Sequence, residues 1–179
     1  TLFSSRDTED TFAKIGKFEK LSALLEVLSS DLDHYEYIWF PDDDVQISTT
    51  DINQLFTTAR AYNLKLSQPS LIGHFSHPVT LHQADSILRY TNFVEVMAPL
   101  MQLNTLKLLA PTFTLNHSSW GLDSLWPYLL GYPLDGIAVI DSITMNHTKP
   151  VGTDYSRFPK SPTEEGNQIL TWMIHQIVK

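Results

Sequence analysis

The sequence predicts an α/β fold, a mixed sheet flanked by helices, because stretches with strand character alternate with stretches of helical spacing. Three observations carry that expectation. Tyr35-Glu36-Tyr37-Ile38-Trp39-Phe40 is an aromatic and β-branched run that reads as a strand. Behind Ser48-Thr49-Thr50-Asp51, which resembles a capping box, Ile52, Leu55, Phe56 and Ala59 recur at helical intervals. Ile137 to Ile140 is a short continuous apolar run of the kind found in buried parallel strands. At 179 residues the natural expectation is one domain over 1–179, long enough for a substantial core.

In chain order, Leu21, Leu24, Leu25 and Leu28 give segment 16–30 helical spacing. The strand at 35–40 follows, then the capped helix from Ser48 to about Asn63. Gln68-Pro69 to His77-Pro78 is rich in Gly, Pro and Ser and reads as a loop. Thr91 to Met97 reads as a strand, and Asn104 to Ala110 as a short helix. Leu122, Leu125, Trp126 and Leu129 give another helix, stopped by Gly131. After the apolar run at 137–140, residues 148–160 are polar with Pro and Gly and read as a loop or flexible segment. Ser161-Pro162-Thr163-Glu164 starts a C-terminal helix over 161–179, with Pro in its first turn and Ile169, Leu170, Met173, Ile174 and Ile177 on its apolar face.

Composition narrows the function. The net charge is −8, with only 12 Lys and Arg, which argues against a large nucleic-acid surface. No apolar stretch approaches the ~18 residues that a membrane-spanning helix needs. Cysteine is absent, which excludes disulfides, zinc-thiolate sites and cysteine nucleophiles. Asn116-His117-Ser118 and Asn146-His147-Thr148 fit a glycosylation sequon, but both fall in segments assigned to chemistry below. The expected location is the cytoplasm, free or peripheral to a membrane.

The most informative segment is Pro41-Asp42-Asp43-Asp44-Val45. Adjacent carboxylates repel and raise one another's pKa, and a hard divalent cation removes that cost through oxygen ligands. The plainer alternative is a solvated acidic turn leaving a strand. Two further clusters sit at element ends: Trp120-Gly121-Leu122-Asp123, with Asp123 in a first helical turn, and Asn146-His147-Thr148-Lys149-Pro150-Val151-Gly152 just beyond the strand around 137–140.

These segments carry a resemblance. Tyr37-Ile38-Trp39-Phe40-Pro41-Asp42-Asp43-Asp44 resembles the metal-binding Asp-x-Asp segment of glycosyltransferase-A enzymes. Over 16–152 the chain resembles the domain of unknown function 707 family. The matching pieces include Gly16-Lys17-Phe18, Gln68-Pro69-Ser70, Phe75-Ser76-His77-Pro78, Tyr90 to Pro99, Trp120-Gly121-Leu122-Asp123 and His147 to Gly152. The resemblance implies a glycosyltransferase-A-like domain. It would be a metal-dependent, inverting hexosyl-type transferase using a nucleotide-sugar donor and a glycan or lipid-linked acceptor in polysaccharide biosynthesis. That fold normally opens with a strand that holds the nucleotide base. Thr1 to Ser5 leaves room for only the end of one, so the first strand is expected to be missing or the base pocket built differently.

Carried over by position, the resemblance implies that Asp42, Asp44 and His147 form the metal site, for Mn²⁺ or Mg²⁺, with imidazole favouring Mn²⁺. Asp43, Lys149, Lys17 and Gly121 would serve the donor, Gly121 by letting the backbone approach the sugar. Asp123 would be the general base. Trp120, His77 and Glu95 would line the acceptor pocket. Each has a second reading. Asp123 could only complement a helix dipole, His147 be an ordinary loop histidine, and Trp120 a core residue. His77 could cap a turn, Lys17 cap a helix turn, and Glu95 be half of a structural ion pair. Two other function classes compete with the transferase: a metal-dependent phosphohydrolase, which needs more carboxylate or imidazole ligands, and a non-catalytic metal- or glycan-binding module.

Overall fold

The computed structural model describes residues 16–28, 31–150, 155 and 158–177. Expectations for Thr1 to Ser5, residues 29–30, Val151, Gly152 and residues 178–179 lie outside them. Six strands form one sheet: β1 (Tyr37–Trp39), β2 (Val45–Gln46), β3 (Leu66–Gly73), β4 (Arg89–Tyr90), β5 (Leu100–Gln102) and β6 (Ile137–His147). The helices are α1 (Lys17–Val27), α2 (Thr49–Ala61), α3 (Leu103–Leu109), α4 (Leu122–Leu129) and α5 (Pro162–Ile177). The strand order is β1-β5-β3-β6-β2, with β4 also paired to β6. Only β3 and β6 are parallel; the other pairs are antiparallel, so β1, β3 and β6 share one direction. The architecture is α/β, a mixed open sheet flanked by helices.

Period-two alternation sends side chains to two cores. Phe40, Leu66, Met101 and Ile137 pack with Phe18, Leu106, Leu122, Trp126 and Ile169 from α1, α3, α4 and α5. Tyr37, Leu100, Ala138 and Ile140 pack with Leu55 and Ala59 of α2. Phe18 meets the rings of Phe113 and Trp126 edge-on, at centroid distances of 4.6 and 5.2 Å. The α2 start is as expected: the Ser48 hydroxyl accepts from the Asp51 N–H at 3.0 Å.

Two expectations fail for identifiable reasons, and a third, the buried parallel strand at 137–140, holds but stops short. Residues 68–73 are not loop but the centre of β3. Its polar residues are buried: Gln68 Oε1 accepts from the Glu95 N–H at 2.6 Å, and the Ser70 hydroxyl donates to the Ile143 carbonyl at 3.1 Å. Pro69 fits because the β3–β6 register breaks right after it, from Pro69↔Ile140 to Ser70↔Thr144. Residues 91–97, in turn, are irregular chain and not a strand. Their apolar character reports burial: Val94 joins the first core, and Met97 packs with Leu71, Ala98 and Met145 in a third, smaller cluster. Lastly, the run at 137–140 is only the first third of β6, which continues through the bulge at Asp141 to His147. Asp141, 1% exposed, makes that bulge tolerable. It is clamped by Arg89 Nε at 2.7 Å and Nη2 at 3.1 Å, and accepts from the Gln83 N–H at 2.9 Å.

Candidate active site

Because β1, β3 and β6 run in one direction, their carboxyl ends open on the same edge of the sheet, where open α/β sheets place ligands. The acidic turn and His147 meet there. The acidic turn leaves β1, and Val45 pairs with His147 as β2 begins. The Asp44 carbonyl accepts from both the N–H and the hydroxyl of Thr148, at 3.0 and 2.8 Å. The chain's two distant acidic and imidazole clusters are therefore stitched together by backbone.

Asp44 Oδ1 lies 3.6 Å from His147 Nε2, and Lys149 Nζ lies 4.0 Å from Asp44 Oδ2. The first distance is too long for a hydrogen bond, and Asp44 Oδ1 is buried without any hydrogen-bond partner. The other ring nitrogen of His147, Nδ1, is 3.0 Å from the His74 carbonyl oxygen. A carbonyl only accepts, so Nδ1 carries a proton, and in the neutral ring this leaves Nε2 as the free nitrogen on the side of Asp44, the arrangement typical of a metal-ligating histidine. Gly73 sets this up: its φ is +86°, and a Cβ there would stand 2.7 Å from the His147 carbonyl oxygen. Two donors, one carboxylate oxygen and one imidazole nitrogen, thus fit a divalent cation. Among the described residues no group of three or more His, Asp or Glu is arranged around one ion.

Asp42 is not the third member. Its Oδ1 pairs with Lys17 Nζ at 2.8 Å. That ammonium also donates toward the carbonyls of Phe40, Val96 and Met97 at 2.6, 2.9 and 2.9 Å. With four oxygens around three N–H bonds, Lys17 is a clamp joining α1, the end of β1 and segment 91–97. It has no N–H left for a diphosphate. Burial pushes the Lys17 ammonium down and the Asp42 carboxyl up, and their mutual attraction offsets this only in part. Asp43 is exposed.

Asp123 sits in the first turn of α4 and is buried. Burial pushes its pKa from 3.8 up to about 6; His77 and the Ser124 N–H, donating at 2.9 Å, pull it down, and Glu95 pushes it up. His77 Nδ1 lies 3.6 Å from Glu95 Oε1, and its ring packs 4.4 Å from that of Phe93. The His77 pKa is raised, chiefly by Glu95. Glu95 is 5% exposed, and its Oε2, like His77 Nδ1, has no hydrogen-bond partner.

Gly121 does a different job from the one expected. Its φ is +90°, and a Cβ there would meet Gly166 Cα and Ile169 Cβ at 3.1 Å. The missing side chain lets α4 approach α5, not a sugar. Trp120 is half-buried and outside the main core, with its indole Nε1 donating to the Tyr155 hydroxyl at 3.1 Å. Tyr155 was not singled out from sequence; burial pushes the pKa of its phenol up, the bond from Trp120 pulls it down, and the charges of Asp42, Glu95 and Asp44 add smaller upward contributions. His74 was also missed; its backbone N–H and carbonyl both bond His147, and a backbone role leaves no mark on residue type. A separate groove of about 370 Å³, against Tyr90, Asn92, Tyr132 and Leu134, lies by the opposite end of β6 and lacks acidic or imidazole groups.

Compared with known proteins, the chain matches no protein-family model and no curated protein.

Proposed function

We propose that this protein is a metal-dependent glycosyltransferase of glycosyltransferase-A-like architecture, inverting, taking a sugar from a nucleoside-diphosphate donor to a glycan or lipid-linked acceptor. The observation that carries the reading is the buried, unpartnered Asp44 Oδ1 with His147 Nε2 3.6 Å away, where the acidic turn after β1 meets the end of β6. Asp44 and His147 would hold Mn²⁺ or Mg²⁺, and the bound ion would neutralise charge on the departing diphosphate. Lys149, exposed beside Asp44, would add a cation for the same phosphates.

The protein's own part in the chemistry falls to Asp123. With a pKa near 6 it is mostly ionised at neutral pH, yet more basic than an ordinary carboxylate. It takes the proton of the acceptor hydroxyl. The acceptor oxygen forms the new bond to the anomeric carbon, and the bond from that carbon to the diphosphate breaks, the electron pair leaving with the nucleoside diphosphate. Attack opposite the leaving group inverts the anomeric configuration. The resemblance of the segments around Asp42, Asp123 and His147 to the domain of unknown function 707 family supports the same assignment.

The test is thermal unfolding with a panel of nucleoside diphosphates, each with Mn²⁺ and with chelator. A ligand at 100 times its Kd stabilises by about 2.7 kcal/mol. One nucleotide is expected to raise Tm only with Mn²⁺, and Asp44→Ala to abolish the shift. A response unchanged by chelator and by Asp44→Ala would refute the metal site.

A further inference from the structure

The end of β3 brings a second imidazole to the Asp44–His147 pair. Gly73 pairs with His147 in the β3–β6 ladder, and its φ of +86° turns the chain so that His74 lies against His147. Two backbone bonds fix it there. The His74 N–H donates to the His147 carbonyl at 3.1 Å, and the His74 carbonyl accepts from His147 Nδ1 at 3.0 Å. Both backbone groups of His74 are thereby committed to His147, independent of its side chain. That side chain is exposed, and its ring stands edge-on to the His147 ring, with centroids 6.4 Å apart and planes at 87°.

We propose that the His74 imidazole is the third protein ligand of the cation held by Asp44 and His147, and that the site takes a first-row transition cation such as Mn²⁺ or Zn²⁺ in preference to Mg²⁺. This rests on the metal site of the reading above and narrows it. Open catalytic sites of the zinc type take three protein ligands and leave one position for water or substrate. Asp42 is engaged by Lys17 at 2.8 Å, so Asp44 and His147 lack a third. With a metal–nitrogen bond of about 2.1 Å, two imidazoles on one ion have centroids roughly 4.5–6.5 Å apart. The observed 6.4 Å falls at the wide end of that range. Rotation of the exposed His74 side chain between its staggered wells closes it further without moving backbone. Two imidazoles and one carboxylate suit transition cations, whereas Mg²⁺ prefers oxygen ligands and keeps several waters.

The test is titration of the full chain with Mn²⁺, read by the EPR signal of the unbound ion, on the parent, His74→Ala and Asp44→Ala. Because the fold uses His74 through its backbone, His74→Ala should melt with the parent in chelator. Losing a residue that only orients a ligand costs about 10–100-fold in metal affinity, so losing the ligand itself should weaken Mn²⁺ binding at least about tenfold. Asp44→Ala should abolish binding. Mg²⁺ should displace Mn²⁺ more readily from His74→Ala than from the parent, since an imidazole has gone. A second measurement needs no variant. In long-range proton–nitrogen NMR spectra of the histidine rings, loading with diamagnetic Zn²⁺ should shift one ring nitrogen of His74 and one of His147. A His147 ring that shifts while His74 stays unmoved overturns the proposal. So does parental Mn²⁺ affinity in His74→Ala with binding still lost in Asp44→Ala, a result that leaves the Asp44–His147 pair standing. Equal displacement by Mg²⁺ in parent and His74→Ala overturns the selectivity. A parent that binds no Mn²⁺, or an Asp44→Ala chain that binds it as the parent does, sinks the metal site itself and this inference with it.

Discussion

At Asp123 burial works against the charged carboxylate. Its folded-state pKa, about 6, lies above the ordinary 3.8. Its contribution to stability is therefore full below about pH 4 and is lost as pH rises through 6. Two pKa units correspond to roughly 3 kcal/mol as an upper bound. Asp123→Asn is expected to raise Tm at pH 7.5, to leave it nearly unchanged at pH 4, and to abolish transfer. A variant destabilised at pH 7.5 would mean that the carboxylate is a structural anchor. The same shift predicts that kcat/KM falls about tenfold per pH unit below pH 6. The neighbours act on it with opposite signs: His77 lowers the pKa and Glu95 raises it. The acid limb of the pH profile should thus move up in His77→Gln and down in Glu95→Gln. Movement of both limbs in one direction would show that lost packing, not charge, sets the value.

At the scale of elements, the site depends on how α4 and β6 are held. Gly121 needs both a positive φ and the space that Gly166 and Ile169 leave for it. Gly121→Ala should cost about 1–3 kcal/mol through backbone strain alone, read as a lower midpoint in urea, with Mn²⁺ affinity unchanged because Asp44 and His147 lie on other elements. The β6 bulge is held by the Arg89–Asp141 pair, whose carboxylate is fully buried. Removing one partner leaves a buried charge, so Arg89→Ala should cost about 3–5 kcal/mol. A loss below 1 kcal/mol would mean that the bulge needs no clamp. The same elements show what sequence could and could not reveal. The helices around Leu21, Ile52, Leu106, Leu125 and Ile169 were legible because each buries one face and exposes the other. The strand β3 was not, because Gln68, Pro69 and Ser70 look like turn chemistry until Glu95 and Ile143 are seen to satisfy the two polar side chains. Segment 91–97 misled in the opposite way: burial without a ladder looks like a strand. Asp44, His147 and Asp123 could be singled out because carboxylates and imidazole beside apolar runs are costly, and the structure brings Asp44 and His147 to 3.6 Å and buries Asp123. Lys17 was readable as a cation, but not as a clamp, since three of its four oxygens are backbone.

For the whole molecule, the decisive fact is that the candidate metal donors come from opposite ends of the described chain and meet only when the sheet is complete. Asp44 follows β1, on one edge of the sheet; His147 closes β6, which must first pair with β3, β4 and β2. In the unfolded chain the two are far apart, so a cation that uses both binds the native state alone and stabilises it by mass action. Saturation at 100 times Kd contributes about 2.7 kcal/mol, and for a chain of this length that raises Tm by roughly 5–10 °C. His147→Ala separates ligation from folding. The buried imidazole has its hydrogen bond to the His74 carbonyl and an edge-on contact with the His74 ring at 6.4 Å, so its loss removes one hydrogen bond and some packing beside the candidate ligation. The variant should melt within a few degrees of the parent in chelator and gain nothing from Mn²⁺. If Mn²⁺ still raised its Tm by the parental amount, the ion would be held by Asp44 and its acidic neighbours without β6, and the sheet edge would need a different donor to complete the site.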